Sequence, residues 1–164
     1  TTLVPNLGVV EGPDARRLII ADIPGLIEGA SEGQGLGHKF LKHVERTRFL
    51  VHILSGEDAD PENPAEGYRM LDEELAAFDP ELAEKPQIRV INKIDILPQD
   101  RLDALRANAP ADVLFVSALT GAGIPELLAR MWQSYEALGR DDLDGDDSDG
   151  DEPEDGQTQS DSPE

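Results

Sequence analysis

Ile88-Arg89-Val90-Ile91-Asn92-Lys93-Ile94-Asp95 is the stretch on which the fold turns. Its first four residues are mostly apolar and do not alternate cleanly with polar ones, the pattern of a strand buried on both faces of a parallel sheet. Asn92-Lys93-Ile94-Asp95 follows that strand directly, at the carboxyl end where open α/β sheets bind ligands. An amide and a carboxylate at such a position suit a guanine ring, which offers acceptors at O6 and N7 and donors at N1 and N2. Asp95 is placed to accept from N1 and N2, Asn92 to steady the loop and reach N7, and the Lys93 stem to cover the ring. Adenine has no donors to match Asp95. The alternative for these four residues is a strand-to-helix turn carrying a surface charge.

Working outward, short apolar β-rich runs alternate with stretches of helical periodicity, which predicts an α/β fold with a mostly parallel sheet and helices on both faces. Residues 49–54 and 113–116 read as further buried strands. Residues 7–10 and 17–21 flank Glu11-Gly12-Pro13-Asp14, a turn-forming cluster, and should pair as a hairpin. Tyr68, Leu71, Leu75 and Phe78 share one helical face, as do Ile124, Leu127, Leu128, Met131, Tyr135 and Leu138. Pro125, just after Gly123, marks the start of the last helix and Gly139 its end. No internal repeat is present.

Two more strand ends carry chemistry. Asp22-Ile23-Pro24-Gly25 follows the run 17–21; a carboxylate there can hold a magnesium ion through a water, and the glycine N–H can approach a terminal phosphate. Ser117-Ala118-Leu119 follows the run 113–116 and opens a glycine-containing loop, so a backbone N–H there can reach guanine O6. Alone, each of these is common and is most often a turn. Three such motifs at successive strand ends, in this order, carry the weight together.

The 164 residues hold 35 acidic and 14 basic side chains. Residues 141–164 contain 12 of the acidic ones, no basic ones and only Leu143 as a large apolar residue, so they are expected to form a disordered acidic tail behind a domain spanning 1–140. The remaining 23 acidic and 14 basic residues leave 1–140 at a net charge of −9, which argues against a broad nucleic-acid-binding face and against DNA as a partner. The chain has no cysteine, which excludes disulfides and thiolate metal sites. No apolar run approaches the roughly 20 residues of a membrane helix, and the start has no signal-peptide layout. A soluble cytoplasmic protein is expected.

Taken together, the three motifs resemble the nucleotide-binding motifs of the Ras-like P-loop GTPases. Within residues 22–46, Ile23-Pro24-Gly25-Leu26-Ile27-Glu28-Gly29-Ala30-Ser31-Glu32-Gly33-Gln34-Gly35-Leu36-Gly37 and Phe40-Leu41-Lys42-His43-Val44-Glu45-Arg46 look like the second switch of the Obg (CgtA) family. Thr1-Thr2-Leu3-Val4-Pro5-Asn6-Leu7-Gly8 resembles that family's first switch, and the resemblance covers residues 1–138. The YchF proteins share a similar second switch but replace the guanine-reading motif, which is intact here, and the Drg proteins lack the Phe-Leu-Lys-His pattern.

The resemblance implies a magnesium-dependent protein that binds GTP and GDP, hydrolyses GTP, and acts as a switch in assembly of the large ribosomal subunit, with the subunit or its RNA as partner and a monomeric intact form. Thr1, Thr2, Leu3 and Val4 would contact nucleotide, with the Thr2 hydroxyl on Mg2+ and Asp22 acting on the ion through water. Ile23, Pro24 and Gly25 would lie at the γ-phosphate. Asn92, Lys93, Ile94 and Asp95 would bind the base, with Ser117, Ala118 and Leu119 closing over it. No catalytic group is identified, because Leu26 stands where many Ras-like proteins place the glutamine that orients water, and slow hydrolysis is expected.

No Gly-x-x-x-x-Gly-Lys-Ser/Thr occurs, so the phosphate loop and the strand before it, which in that fold lies between the strands at 17–21 and 49–54, are absent from these residues. The expectation is a fragment that alone neither binds GTP tightly nor folds stably. The alternative function is that of a non-catalytic interaction segment. His38 and His43, five apart, are a poor metal pair, and His52 reads as structural. Gly33-x-Gly35-x-Gly37 is no dinucleotide fingerprint and suits a moving switch. Lys39, Lys42, Arg46 and Arg48 form a small basic cluster that either faces RNA or pairs with nearby carboxylates; the sequence leaves both open.

Overall fold

The computed structural model describes residues 6–22 and 46–139, apart from the side chains of Pro13 and Phe78. The Asn92 strand lies at its centre. Strand β3 (Leu50–Ser55), strand β4 (Gln87–Asn92) and the short strand β5 (Leu114–Phe115) form a parallel sheet in the order β3-β4-β5. Strands β1 (Leu7–Glu11) and β2 (Arg17–Ala21) pair antiparallel as a separate two-stranded sheet, joined through a 3-10 turn at Pro13–Ala15. The strand bounds differ from the expected ones by a residue or two, and β5 is shortest because its ladder joins only Val90 to Leu114 and Ile91 to Phe115.

Helices cover both faces of the parallel sheet. Helix α1 (Pro64–Phe78) carries Tyr68 and Leu75 into the interior, 1% and 3% exposed, one turn and three turns from a proline start. Helix α2 (Pro80–Ala83) is a single turn capped by the Asp79 carboxylate, which accepts from the Glu81 N–H. Helix α3 (Gln99–Asn108) has only Leu102 and Leu105 buried, so its sequence carries no extended apolar face. Together with Tyr68, Ile91 and Val113, Leu105 forms one half of the core.

Helix α4 (Ile124–Ala137) covers the other face, packing Met131 against Ile88, Val90, Leu114 and Val116, with Leu18 of β2 in the same cluster. Gly123 precedes it at φ 72, and Gly139 follows it at φ 74, the left-handed backbone that suits glycine at a helix end. The β1–β2 hairpin is joined to this helix by side chains. Arg16 stacks over the Trp132 ring and pairs with Glu136 at 3.1 Å, and a Cβ on Gly12 would lie 2.0 Å from the indole. β3 is less buried than expected, since Ile53 is 51% exposed on an outer strand of the three. Among the described residues, no helix is long and apolar enough to cross a membrane.

Candidate functional site

The parallel register that sets Ile91 beside Phe115 brings the loops after β4 and β5 together at the carboxyl end of the sheet. Backbone bonds lock the two: Val116 N–H donates to Ile91 O at 2.8 Å and Ile94 N–H to Val116 O at 3.3 Å. The loop after β5 closes on itself through Ser117 N–H to Ala122 O at 2.8 Å and Gly121 N–H to Ser117 O at 2.9 Å. Lys93 sits between these anchors at φ 65, ψ 34. That left-handed conformation costs a side-chain-bearing residue about 1–2 kcal/mol and persists because the flanking bonds over-determine it.

The polar side chains are tied across the gap. Ser117 is fully buried, and its Oγ donates to Asp95 Oδ1 at 2.6 Å while accepting from the Thr120 N–H at 3.0 Å. The Asn92 Oδ1 accepts from the Ala118 N–H at 3.0 Å. Asn92 and Asp95 of the first loop are therefore held by the second, and Asp95, an acceptor with several lone pairs, uses one of them internally. Between the loops lies a cleft of about 290 Å³ lined by Asn92, Lys93, Asp95, Ile96, Ala118 and Leu119. Ile96 and Leu119 form exposed apolar lips, 53% and 86% accessible, with a carboxylate between apolar walls. That arrangement suits a flat ring with donors along one edge.

Two expected positions do not line the cleft. Ser117 lies beneath it, acting on Asp95, and Ile94 packs on the core cluster of Tyr68 and Leu105. Of the N–H groups considered for O6, that of Ala118 is engaged by Asn92, which leaves the Leu119 N–H unengaged among the described residues. Ile96 joins the lining although no motif names it; its place directly after Asp95 is the one sequence signal for it.

Lys93 Nζ reaches the Glu57 carboxylate at 3.3 Å, a partner 36 residues away that nothing in the local sequence announces. Asp22 stands exposed at the end of β2, its N–H bonded to Asn6 O at 2.9 Å. Thr1, Thr2, Leu3, Val4, Ile23, Pro24, Gly25, Leu26, His38, Lys39, Lys42 and His43, the glycines of 33–37 and the tail 141–164 lie outside the described residues.

Of the basic cluster, Arg46 is exposed, whereas Arg48 stacks over Tyr135 and donates to the Gly139 carbonyl, so it serves the fold. His52 faces Asp72 at 3.5 Å, next to Arg89; burial chiefly lowers its pKa, the Arg89 charge lowers it further and Asp72 opposes both. Among the described residues, no group of three His, Cys, Asp or Glu is set to hold a metal.

A parallel sheet layered between helices, with a cleft at the carboxyl ends of its strands, is the architecture of a Ras-like P-loop nucleotide-binding domain. The family described as 50S ribosome-binding GTPase matches residues 1–93. The chain is 55% identical over 161 residues to a GTPase Obg of Oleidesulfovibrio alaskensis, covering 94% of this chain and 44% of that protein. It is 59% identical over 143 residues to one of Nitratidesulfovibrio vulgaris (84% and 39%) and 47% identical over 142 to one of Aquifex aeolicus (84% and 41%). The chain belongs to the 50S ribosome-binding GTPase family and is an Obg-type member of it. It spans less than half the length of these relatives.

Proposed function

We propose that the chain carries the base-reading part of a GTP-binding switch that hydrolyses GTP to GDP and phosphate and acts in assembly of the large ribosomal subunit. The observation behind this reading is Asp95, held by Ser117 at the mouth of an apolar-walled cleft and facing where a ring with paired donors fits. Asn92 would steady both loops, Lys93 and Leu119 would cover the two faces of the ring, and the Leu119 N–H would meet O6.

Thr1 to Val4 and Asp22 to Gly25 are the residues for the phosphates, and the exposed carboxylate of Asp22 fits a hard cation that prefers oxygen. Thr2 directly, and Asp22 through a water, would hold a magnesium ion, which supplies neutralisation of phosphate charge when bound. Gain or loss of the γ-phosphate would order or release the two switch segments. The ribosomal role is supported by the family's description as 50S ribosome-binding, and the acidic tail 141–164 fits a solubilising role or a basic partner.

Base selection provides the test. In the full-length gene product, Asp95→Asn should weaken GTP and favour xanthosine triphosphate, which presents a carbonyl where guanine has its amino group. Unchanged GTP affinity on titration removes the reading.

A further inference from the structure

We propose that Arg101 is a positioning residue for the base, acting through the loop Ser55 to Ala59 to hold Lys93 against the ring; this rests on the guanine reading of the cleft. Arg101 lies in the first turn of α3 and its guanidinium is aimed away from its own helix. Its Nε donates to Gly56 O at 3.1 Å, and its Nη2 to Glu57 O at 2.8 Å and Ala59 O at 2.7 Å. Three carbonyls of one loop converge on one planar fork, a geometry for which a guanidinium is suited and an ammonium is not.

The clamped loop is pressed on the base-reading segment from behind. Gly56 N–H donates to Asn92 O at 2.9 Å, continuing the ladder beyond Ser55, and a Cβ on Gly56 would lie 2.6 Å from Leu97 Cδ1 and 3.2 Å from Asn92 O. A Cβ there would make the Leu97 tip move aside and crowd the Asn92 carbonyl, so glycine favours the close approach. The next residue, Glu57, presents its carboxylate to Lys93 Nζ at 3.3 Å.

A lysine–glutamate pair with both side chains 53% exposed contributes little when both partners are free to move. Here one partner is not free, because the fork fixes the Glu57 backbone. The left-handed backbone of Lys93 sets only where its stem begins, so the pair closes a ring that steadies the stem: β4 to Lys93, Lys93 to Glu57, Glu57 to Arg101, and Arg101 through α3 back to the chain after Asp95. The Lys93 stem is one wall of the cleft. Releasing the loop frees that stem and weakens stacking on the ring. The edge contacts of Asp95 depend on Ser117 instead and stay as they are.

The two effects separate in one experiment on the full-length gene product, in which Kd is measured for GDP and for xanthosine diphosphate. Arg101→Ala should weaken both about fivefold or more while leaving their ratio unchanged, and its effect should largely vanish when Lys93 is already alanine, since residues acting through one contact are non-additive. Glu57→Gln changes only an exposed side chain and keeps the fold; it should show a smaller loss with the same non-additivity, and it decides the matter if Arg101→Ala fails to fold.

Losses by Arg101→Ala and Glu57→Gln that add in full to that of Lys93→Ala, or no loss from either, overturn the assignment. A failure of Asp95→Asn to exchange guanine for xanthine preference in the same assay sinks the guanine reading, and this inference with it. Asp95→Asn behaving as expected beside additive Arg101 and Glu57 losses sinks the inference alone.

Discussion

Ser117→Ala isolates the bond that aims Asp95. The side chain is fully buried, so no water replaces its hydroxyl, and the substitution removes two hydrogen bonds at once: the 2.6 Å bond to Asp95 and the 3.0 Å bond from the Thr120 N–H. A hydrogen bond to a charged group contributes about 1.5–3 kcal/mol net, and Asp95 is exposed enough to recover water, so the lower end applies. The orphaned Thr120 N–H adds about 1 kcal/mol, for a total loss of stability of about 2–3 kcal/mol.

Affinity falls for a different reason: the freed carboxylate must be ordered again on binding, at about 0.5–1.5 kcal/mol for one side chain, or about two- to tenfold in Kd. Denaturant unfolding measures the first quantity and titration of fluorescent GDP into the full-length gene product the second. The decisive arm is the Asp95→Ala background, where the affinity effect of Ser117→Ala should disappear. A loss that persists there refutes the idea that Ser117 works through Asp95.

Gly123→Ala should lower stability by more than the about 1–2 kcal/mol of left-handed strain, because its Cβ would lie 2.2 Å from the Phe115 carbonyl oxygen, a backbone atom that cannot swing aside; an unchanged denaturant midpoint contradicts this. His52 gives the pH dependence: its folded pKa is lowered from 6.5, chiefly by burial, so the unfolded chain takes the proton first. Stability is therefore full above 6.5 and is lost as pH falls below it, and His52→Gln should flatten that decline in thermal unfolding across the range, whereas an identical slope in the variant places the effect elsewhere.

The parts legible in the sequence are those where local pattern and tertiary role coincide. Ile88 to Asp95 reads as buried strand and ligand loop because apolar run and polar motif are contiguous, and α4 reads from its flanking glycines and its one apolar face. Helix α3 escaped because eight of its ten residues are not buried, leaving Leu102 and Leu105 three apart as the only signal. Its tertiary reward lies outside the helix, in the contact of Leu105 with Ile91 and in the fork of Arg101. Asn92, Asp95 and Ser117 are legible as candidate residues, but the bond between Ser117 and Asp95 spans 22 residues and that between Lys93 and Glu57 spans 36. Pairings of that kind follow from strand order, which composition and periodicity do not carry.

Strand order also separates the two ends of the proposed nucleotide site. The base end is bonded into one continuous ladder, β3 to β4 to β5, and each of its loops is tied to the next by backbone bonds. Asp22 belongs to the hairpin, whose sheet is distinct from that ladder and whose attachment runs through side chains: Leu18 in the core, Arg16 on Trp132 and Glu136, and Gly12 against the indole. Among the described residues, no strand pairing joins the hairpin to that ladder, and the hairpin is packed on α4 instead. Side-chain packing transmits small shifts less directionally than a ladder whose bonds fix register. In the proposed site, the residues assigned to the base therefore sit on the bonded ladder, and Asp22 sits on a separate sheet packed against α4.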